Sequence, residues 1–525
     1  MAGRRSTRVR EIAREVLGYD RLRPGQEEAI RAVLGGRDTL AVLSTGSGKS
    51  AIYQLAGVQI EGPTVVVSPL IALQQDQVRA IEEQELGGAV ALNASMSDGQ
   101  REAAFAAIEA GHAEFVFLAP EQLAKPDVVE RLAAAGPSLF VVDEAHCISQ
   151  WGHDFRPDYL GLARAAEDLG RPVILALTAT AAPPVRQEIA ARLGMEDPAV
   201  VVRDFDRPNI ALDVRNVADD DAKLTALLDA RPGAEGAAIV YVATRRAAES
   251  VAAALTGAGL PAAAYHAGMA AGERTRVQEG FMAGEPPCVV ATIAFGMGID
   301  KPDVRLVAHY DISDSLDAYF QEIGRAGRDG EAARALLLYR PEDLALRRFF
   351  GGESEFEPEE LEQAAAEAGG ERDTAALAER LEWPEARVKR ALALLGVAEE
   401  GEDTVAGALE AQERRQGYLR TRMEMLRGDA ETRGCRREVL LSYFGGPFAG
   451  AGDNCANCRE GTPAALEVCE GPFAPGTAVQ HATLGRGQVL RYEGNRVSVL
   501  FEEAGYRTLD LEIVIGEGLL VAAGE

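Results

Sequence analysis

From about residue 38 to residue 345 the chain alternates short, wholly apolar runs with longer stretches rich in Ala, Glu and Arg. The runs TLAVLS (39–44), TVVVSP (64–69), FVFLAP (115–120), LFVVDE (139–144), VILALTAT (173–180), AIVYVAT (238–244) and CVVAT (288–292) have strand length and no polar alternation. A strand without alternation is buried on both faces, and helices between such strands cover the two sides of a parallel sheet. The pattern therefore predicts an α/β fold with two parallel-sheet domains, residues 1–207 and 208–345. Pro interrupts it at Arg207-Pro208-Asn209, the expected hinge.

Beyond Arg340-Pro341 the pattern changes. Residues 346–410 read as an acidic link opening at Gly351-Gly352. Within it, Leu377, Leu381, Val388, Leu392 and Leu395 recur at helical spacing on either side of Trp383-Pro384. Two helices broken there resemble a helix-turn-helix unit, and a plain helical spacer is the alternative. Residues 411–470 read as helical and cysteine-bearing. In residues 471–525, Val497, Val499 and Phe501 alternate with Ser498 and Leu500 after a turn at Glu493-Gly494-Asn495, so a small β-barrel is expected.

Composition changes this picture in three places. The longest apolar stretches fall far short of the ~20 residues a membrane span needs, and no apolar signal core follows the N-terminal arginines, so a soluble, cytoplasmic protein is expected. The net charge of −28 argues against a nucleic-acid partner. Its distribution weakens that objection: residues 351–410 hold 17 acidic and 5 basic side chains, whereas 411–437 hold 4 and 8. Local patches therefore decide. Six cysteines are too few for a disulfide scaffold, but Cys435, Cys455 and Cys458 cluster as metal ligands do.

The candidate chemistry begins at Ser44-Thr45-Gly46-Ser47-Gly48-Lys49-Ser50, between a buried strand and a helix. Glycines let backbone N–H groups close around phosphates, Lys49 can reach the β and γ phosphates, and Ser50 can bind Mg²⁺. The strict P-loop pattern has Gly where this chain has Leu43, which leaves open a glycine turn that binds nothing. The strand Leu139–Val142 delivers Asp143-Glu144-Ala145-His146 at its C-terminal end, the edge where open α/β sheets bind ligands. Asp143 is then placed to hold the metal and Glu144 to polarise an attacking water. An acidic helix start with a capping Asp is the alternative. Ser149 to Arg156 packs Trp151, His153, Phe155 and Arg156 into eight residues. Aromatics stack on bases at ~1 to 3 kcal/mol each, and simple core filling is the competing reading.

With these motifs on one chain, the sequence resembles superfamily 2 helicases and, within them, the RecQ family. Leu17-Gly18-Tyr19 with Arg23-Pro24-Gly25-Gln26 is similar to that family's adenine-recognition motif, and residues 68–78 to its motif Ia. The run DEAHCISQWGHDFRP (143–157) is very specific to it. Thr178-Ala179-Thr180, residues 295–302 and residues 321–330 resemble motifs III, V and VI. The resemblance implies two RecA-like domains with ATP between them. It implies adenine contacts from Tyr19, Arg23 and Gln26, and phosphate contacts from Thr45, Gly46, Ser47, Gly48, Lys49 and Ser50, with Gly298 and Asp300 also at the nucleotide. Mg²⁺ would sit on Ser50 and Asp143, and Glu144 would be the general base. Gln321, Arg325 and Arg328 would project into the ATP cleft. His146, Trp151, His153, Phe155 and Arg156 would couple DNA to hydrolysis, with single-stranded and tailed duplex DNA as partners in repair or recombination, on the chromosome.

The chain also departs from the family. Cys435-Arg436-Arg437 looks like the opening of its zinc platform, but Gly452 stands where the first cysteine of a C-x-x-C-x-x-C run is common. Three thiolates leave a structural Zn²⁺ site one ligand short. Cys469 is the nearest sulfur able to complete it, and a metal-free platform is the alternative. Cys147 and Cys288 read as inert thiols at strand ends. With 67 residues after Cys458, the winged helix of larger RecQ proteins is expected to be absent. The C-terminal barrel, with His481 and Gly485-Arg486-Gly487, resembles the Tudor-like domain of UvrD-like helicases. Docking of a protein partner (RNA polymerase or a repair factor), DNA contact and simple capping all stand open for it. The leading expectation is a 3′-to-5′ ATP-dependent DNA helicase or translocase. An RNA-dependent ATPase and a scaffold without turnover are the competing readings.

Overall fold

The computed structural model describes the chain except residues 1–8, 15–17, 70, 95, 150–155, 204, 232–235, 297–298, 345–354, 369–373, 397–403, 446–453, 462–470, 474–476, 494, 502–503 and 524–525. Seven strands form the first sheet: β1 (Thr39–Leu43), β2 (Thr64–Val67), β3 (Ala89–Leu92), β4 (Phe115–Leu118), β5 (Leu139–Val142), β6 (Val173–Thr178) and β7 (Ala199–Arg203). They pair in the order β3-β4-β2-β5-β6-β1-β7, all parallel. Every residue of β1, β2, β4 and β5 is buried, which is why these strands show no alternation.

The second sheet is also parallel. It comprises β8 (Ile210–Asn216), β9 (Ala237–Tyr241), β10 (Ala262–Tyr265), β11 (Cys288–Ala291), β12 (Val304–His309) and β13 (Ala333–Tyr339), in the order β10-β11-β9-β12-β13-β8. One apolar core runs from the first sheet (Val42, Phe140) through the second (Ile239, Val307) to helices further along the chain (Leu426, Leu441, Phe444). The two sheets therefore share packed side chains at their junction.

Helices Pro358–Ala368, Thr374–Leu381 and Glu385–Leu395 pack with the start of the long helix Thr404–Glu431 around Leu361, Leu377, Leu381 and Val388. The break between the middle two helices falls at Trp383-Pro384. Pro cannot donate the helix's N–H, and Arg387 seals the corner, its guanidinium 4.5 Å from the Phe356 ring centre and 2.7 Å from Glu360. A further helix, Arg436–Tyr443, joins the long helix to the cysteines.

The last sheet is antiparallel: β14 (Ala478–His481), β15 (Gly485–Glu493), β16 (Arg496–Phe501), β17 (Gly505–Asp510) and β18 (Leu520–Ala522), in the order β17-β16-β15-β14-β18. Val479, Val489, Val497, Val499 and Phe501 fill its inner face. It rests on the long helix, where Arg507 Nη1 donates to Thr421 Oγ1 at 2.8 Å. Among the described residues, no helix is long and apolar enough to cross a membrane. The two isolated thiols differ in setting: Cys288 opens β11 as expected, but Cys147 sits on a 3₁₀ turn (Ala145–Ile148) rather than at a strand end. Both are fully buried.

Candidate active site between the two parallel sheets

β1 ends at Leu43 and hands the chain to the glycine loop. Gly46 (φ +78°) and Gly48 (φ +74°) adopt left-handed backbone that other residues avoid. A Cβ on Gly48 would also lie 2.8 Å from Gln26 Nε2. Gln26 Nε2 donates to the Ser47 and Gly48 carbonyls at 2.9 and 2.8 Å, and Arg23 donates to the Gly46 carbonyl. The residues expected at adenine thus brace the loop expected at phosphate. Tyr19 is partly exposed and lines an adjoining cavity of about 410 Å³ with Arg10, Arg14 and Leu22. Ser50 begins the helix Ser50–Gly57, so the loop lies at a helix N-terminus. Ser47 Oγ is buried without a partner, and Lys49 Nζ rests 3.3 Å from the Leu43 carbonyl.

β5 lies two strands from β1, with β6 between them. Asp143 follows β5, and Glu144 takes the left-handed conformation (φ 48°, ψ 45°). Backbone held there by a residue with a Cβ costs of order 1 kcal/mol and tends to mark working sites. Withdrawal from water pushes the Asp143 carboxyl up to about 7, helped by the neighbouring Glu144 charge and opposed by Lys49. The same withdrawal lowers the pKa of Lys49, against the pull of Glu144 and Asp143. Glu144 Oε2 is buried and accepts no hydrogen bond, although His146 Nδ1 approaches it to 3.4 Å. That ring nitrogen instead meets Thr178 Oγ1, at the end of β6, at 3.0 Å.

The chain after this turn folds back on it. Arg156 N donates to the Cys147 carbonyl at 2.9 Å, and its guanidinium reaches the Pro69 carbonyl at 3.4 Å. Tyr159, fully buried, donates its hydroxyl to the Asp143 carbonyl at 3.1 Å. Trp151, His153 and Phe155 of this segment, and Gly298 of the second domain, lie outside the described residues. Sequence reading missed Tyr159; its place two residues after the specific DEAH-to-Pro157 run was the available signal.

The second sheet supplies the opposite wall. Ser315 caps the helix Leu316–Ile323, accepting from Ala318 N at 3.1 Å. Gln321 occupies its last turn, and Gly324 to Arg328 follow. Arg328 Nη1 pairs with the exposed Asp300 at 2.6 Å, while the Nε atoms of Arg325 and Arg328 are buried without partners. The Arg328 side chain lies over the glycine loop: a Cβ on Gly46 would be 3.6 Å from its Cγ. Lys49, Asp143, Glu144 and Arg328 therefore come together from two domains, with Arg325 beside Arg328 on the same loop. Three phosphates and a divalent cation would meet the orphaned donors and the crowded carboxylates, so the residues fit Mg²⁺ and a nucleoside triphosphate.

Away from the cleft, the sulfurs of Cys435, Cys455 and Cys458 lie within 4.8 Å of one another. Tetrahedral thiolates at ~2.3 Å from Zn²⁺ stand ~3.8 Å apart, so the trio fits three corners of such a site. The Cys455 sulfur is pushed down to about 4 by its bond from Cys435, whose own thiol is pushed up by the same bond. Cys469 lies outside the described residues.

Two family patterns match the chain, the DEAD/DEAH box helicase over residues 23–189 and the helicase conserved C-terminal domain over 221–330. The chain is 34% identical over 458 residues to the probable ATP-dependent DNA helicase RecS of Bacillus subtilis, covering 86% of this chain and 92% of that one. It is 39% identical over 361 residues to the ATP-dependent DNA helicase RecQ of Haemophilus influenzae, covering 69% of this chain and 58% of that one. A solved structure of the DUF1998 helicase MrfA bound to DNA superposes with a TM-score of 0.54 at 19% identity, over 65% of this chain and 52% of that one, a likeness of fold alone.

Proposed function

This chain belongs to the RecQ family of superfamily 2 helicases, and on that premise we propose that it is an ATP-dependent DNA helicase or translocase moving 3′ to 5′ on single-stranded DNA. The observation that carries the reading is the meeting of Lys49, Asp143 and Glu144 with Arg328 across one cleft, Arg325 beside it, with Glu144 Oε2 and both arginine Nε atoms making no hydrogen bond. Buried polar groups without partners are costly, and a ligand that satisfies them is held by the same free energy.

Tyr19, Arg23 and Gln26 contact adenine, and Thr45 to Ser50 hold the phosphates, with Gly298 and Asp300 beside the nucleotide. Ser50 and Asp143 would hold the Mg²⁺, which when bound neutralises phosphate charge. Glu144 orients and deprotonates the attacking water. Arg325 and Arg328, with Gln321, stabilise the charge that develops as the phosphoryl group transfers. The 143–159 segment would link the reaction to DNA: His146 contacts Thr178, Tyr159 holds the Asp143 carbonyl, and Trp151, His153, Phe155 and Arg156 would contact the nucleic acid. Cys435, Cys455, Cys458 and Cys469 would hold a structural Zn²⁺. The C-terminal sheet, tied to the long helix by Arg507, would dock a protein partner; Ile513, on the helix Leu511–Gly516, and Val521, on β18, are exposed.

The test is Mg²⁺-ATP hydrolysis with no nucleic acid, with single-stranded DNA and with RNA of the same sequence. Strong stimulation by DNA and little by RNA is expected. Equal or greater stimulation by RNA would replace this reading with an RNA-dependent ATPase.

A further inference from the structure

The hinge Arg207-Pro208-Asn209 is more than a connector. Arg207 Nη2 donates to the carbonyls of Ala326 and Gly327, both at 2.9 Å, and Nη1 to that of Gly324 at 3.2 Å. One planar guanidinium thus ties down three carbonyls of the loop that carries Arg325 and Arg328. Asn209 Nδ2 adds bonds to the Gly327 and Glu331 carbonyls at 2.8 and 2.9 Å. Gly327 has φ +53°, and a Cβ on it would lie 2.4 Å from Asn209 Nδ2, so loop and hinge fit only with glycine there. Across the cleft, Arg207 Nη1 also reaches the Thr45 carbonyl of the glycine loop, at 3.5 Å, the outer limit of a hydrogen bond.

The backbone that presents Arg207 is gripped from the other side. Asn454 Nδ2 donates to the Pro208 carbonyl at 2.7 Å, and Arg437 pairs with Asp206 and donates to the Ile210 carbonyl at 2.8 Å. The Leu212 N–H donates to the Asn454 carbonyl at 3.0 Å, next to Cys455. The cysteine-bearing segment, the hinge, the arginine loop and the glycine loop therefore form one chain of contacts.

We propose that Arg207 is a positioning residue for hydrolysis: its guanidinium fork sets the Gly324–Arg328 backbone, and so the two arginines, according to how close the glycine loop stands. The fork geometry, not the charge, is what the role requires, because an ammonium cannot span three carbonyls in one plane. The inference rests on the ATPase reading above.

The experiment measures DNA-stimulated hydrolysis for the parent, Arg207→Lys and Arg207→Ala, with kcat and KM separated, and thermal midpoints to establish folding. Both variants should lose about tenfold or more in kcat with KM within about threefold, since misplacement of a group by ~1 Å can cost up to about 100-fold. Free guanidinium ion should restore part of the kcat of Arg207→Ala and none in Arg207→Lys, where the ammonium fills the space. If Arg207→Ala does not fold, Arg207→Lys carries the test. Parental kcat in Arg207→Lys, or a rise in KM alone in either variant, overturns the proposal. A parent without DNA-stimulated hydrolysis would instead overturn the reading on which it rests.

Discussion

The cleft between the two parallel sheets and the seam between the second sheet and the cysteine-bearing helices are built oppositely. At the nucleotide loops the cleft is crossed by the 3.5 Å bond from Arg207 to Thr45 and by van der Waals approach of Arg328 to Gly46. The seam is crossed by charged contacts: Arg422 to Asp317 at 2.9 Å, Arg459 to Asp213, and Tyr339 to Glu431 at 2.6 Å. Arg422 and Asp317 are both almost fully buried, and Tyr443 adds a bond to the same carboxylate. Weak contacts open at little cost, whereas a buried ion pair holds its geometry or leaves a stranded charge. The difference predicts which parts move: the weakly crossed cleft would be the joint, and the helices, held to the second domain by buried pairs and to the first by Arg186 on the Phe444 carbonyl, would ride with the second. Phe444, stacked 5.0 Å from Phe205 beside the hinge and tilted 4.8 Å from Phe320, packs between the two domains.

Three substitutions sharpen this contrast. In the cleft, Glu144→Gln should lower DNA-stimulated kcat by about 10²- to 10⁴-fold while ATP still binds, the range general-base removal gives. Parental turnover in that variant would remove Glu144 from the reaction. In the seam, Arg422→Met should strand Asp317 and cost about 3 kcal/mol, the lower end for breaking a buried pair. Denaturant unfolding reads this directly, and an unchanged midpoint would make the seam as loose as the cleft. The smallest effect on turnover is expected for Cys469→Ser. Elemental analysis should find stoichiometric zinc in the parent and its loss in the variant, and zinc retained there would exclude Cys469 as a ligand.

Much of the fold was legible because burial on both faces writes itself into sequence as unbroken apolar runs, and β1, β2, β4 and β5 are such runs. The glycine loop and Asp143-Glu144 were legible because their chemistry needs fixed residue types at fixed spacing. Tyr159 and Arg207 were not, since each acts on backbone carbonyls brought to it by folding, and a carbonyl carries no sequence signature. Nor did sequence separate a basic surface from buried struts. The arginine-rich stretch 411–437 looked like a local positive patch, yet Arg422, Arg436 and Arg437 are buried and Arg427 pairs with Glu431 at 3.0 Å. The left-handed backbone at Glu144 likewise follows from tertiary constraint, because nothing in DEAH favours it.

The central claim is that closing this cleft around ATP moves the chain along single-stranded DNA toward its 5′ end. The most direct measurement is ATP-dependent displacement of streptavidin from single-stranded DNA biotinylated at one end or the other. The account predicts fast displacement from the 5′ end, none above background from the 3′ end, and none from either with Glu144→Gln. Displacement from the 3′ end alone, or hydrolysis stimulated by DNA with no displacement at either end, would contradict it.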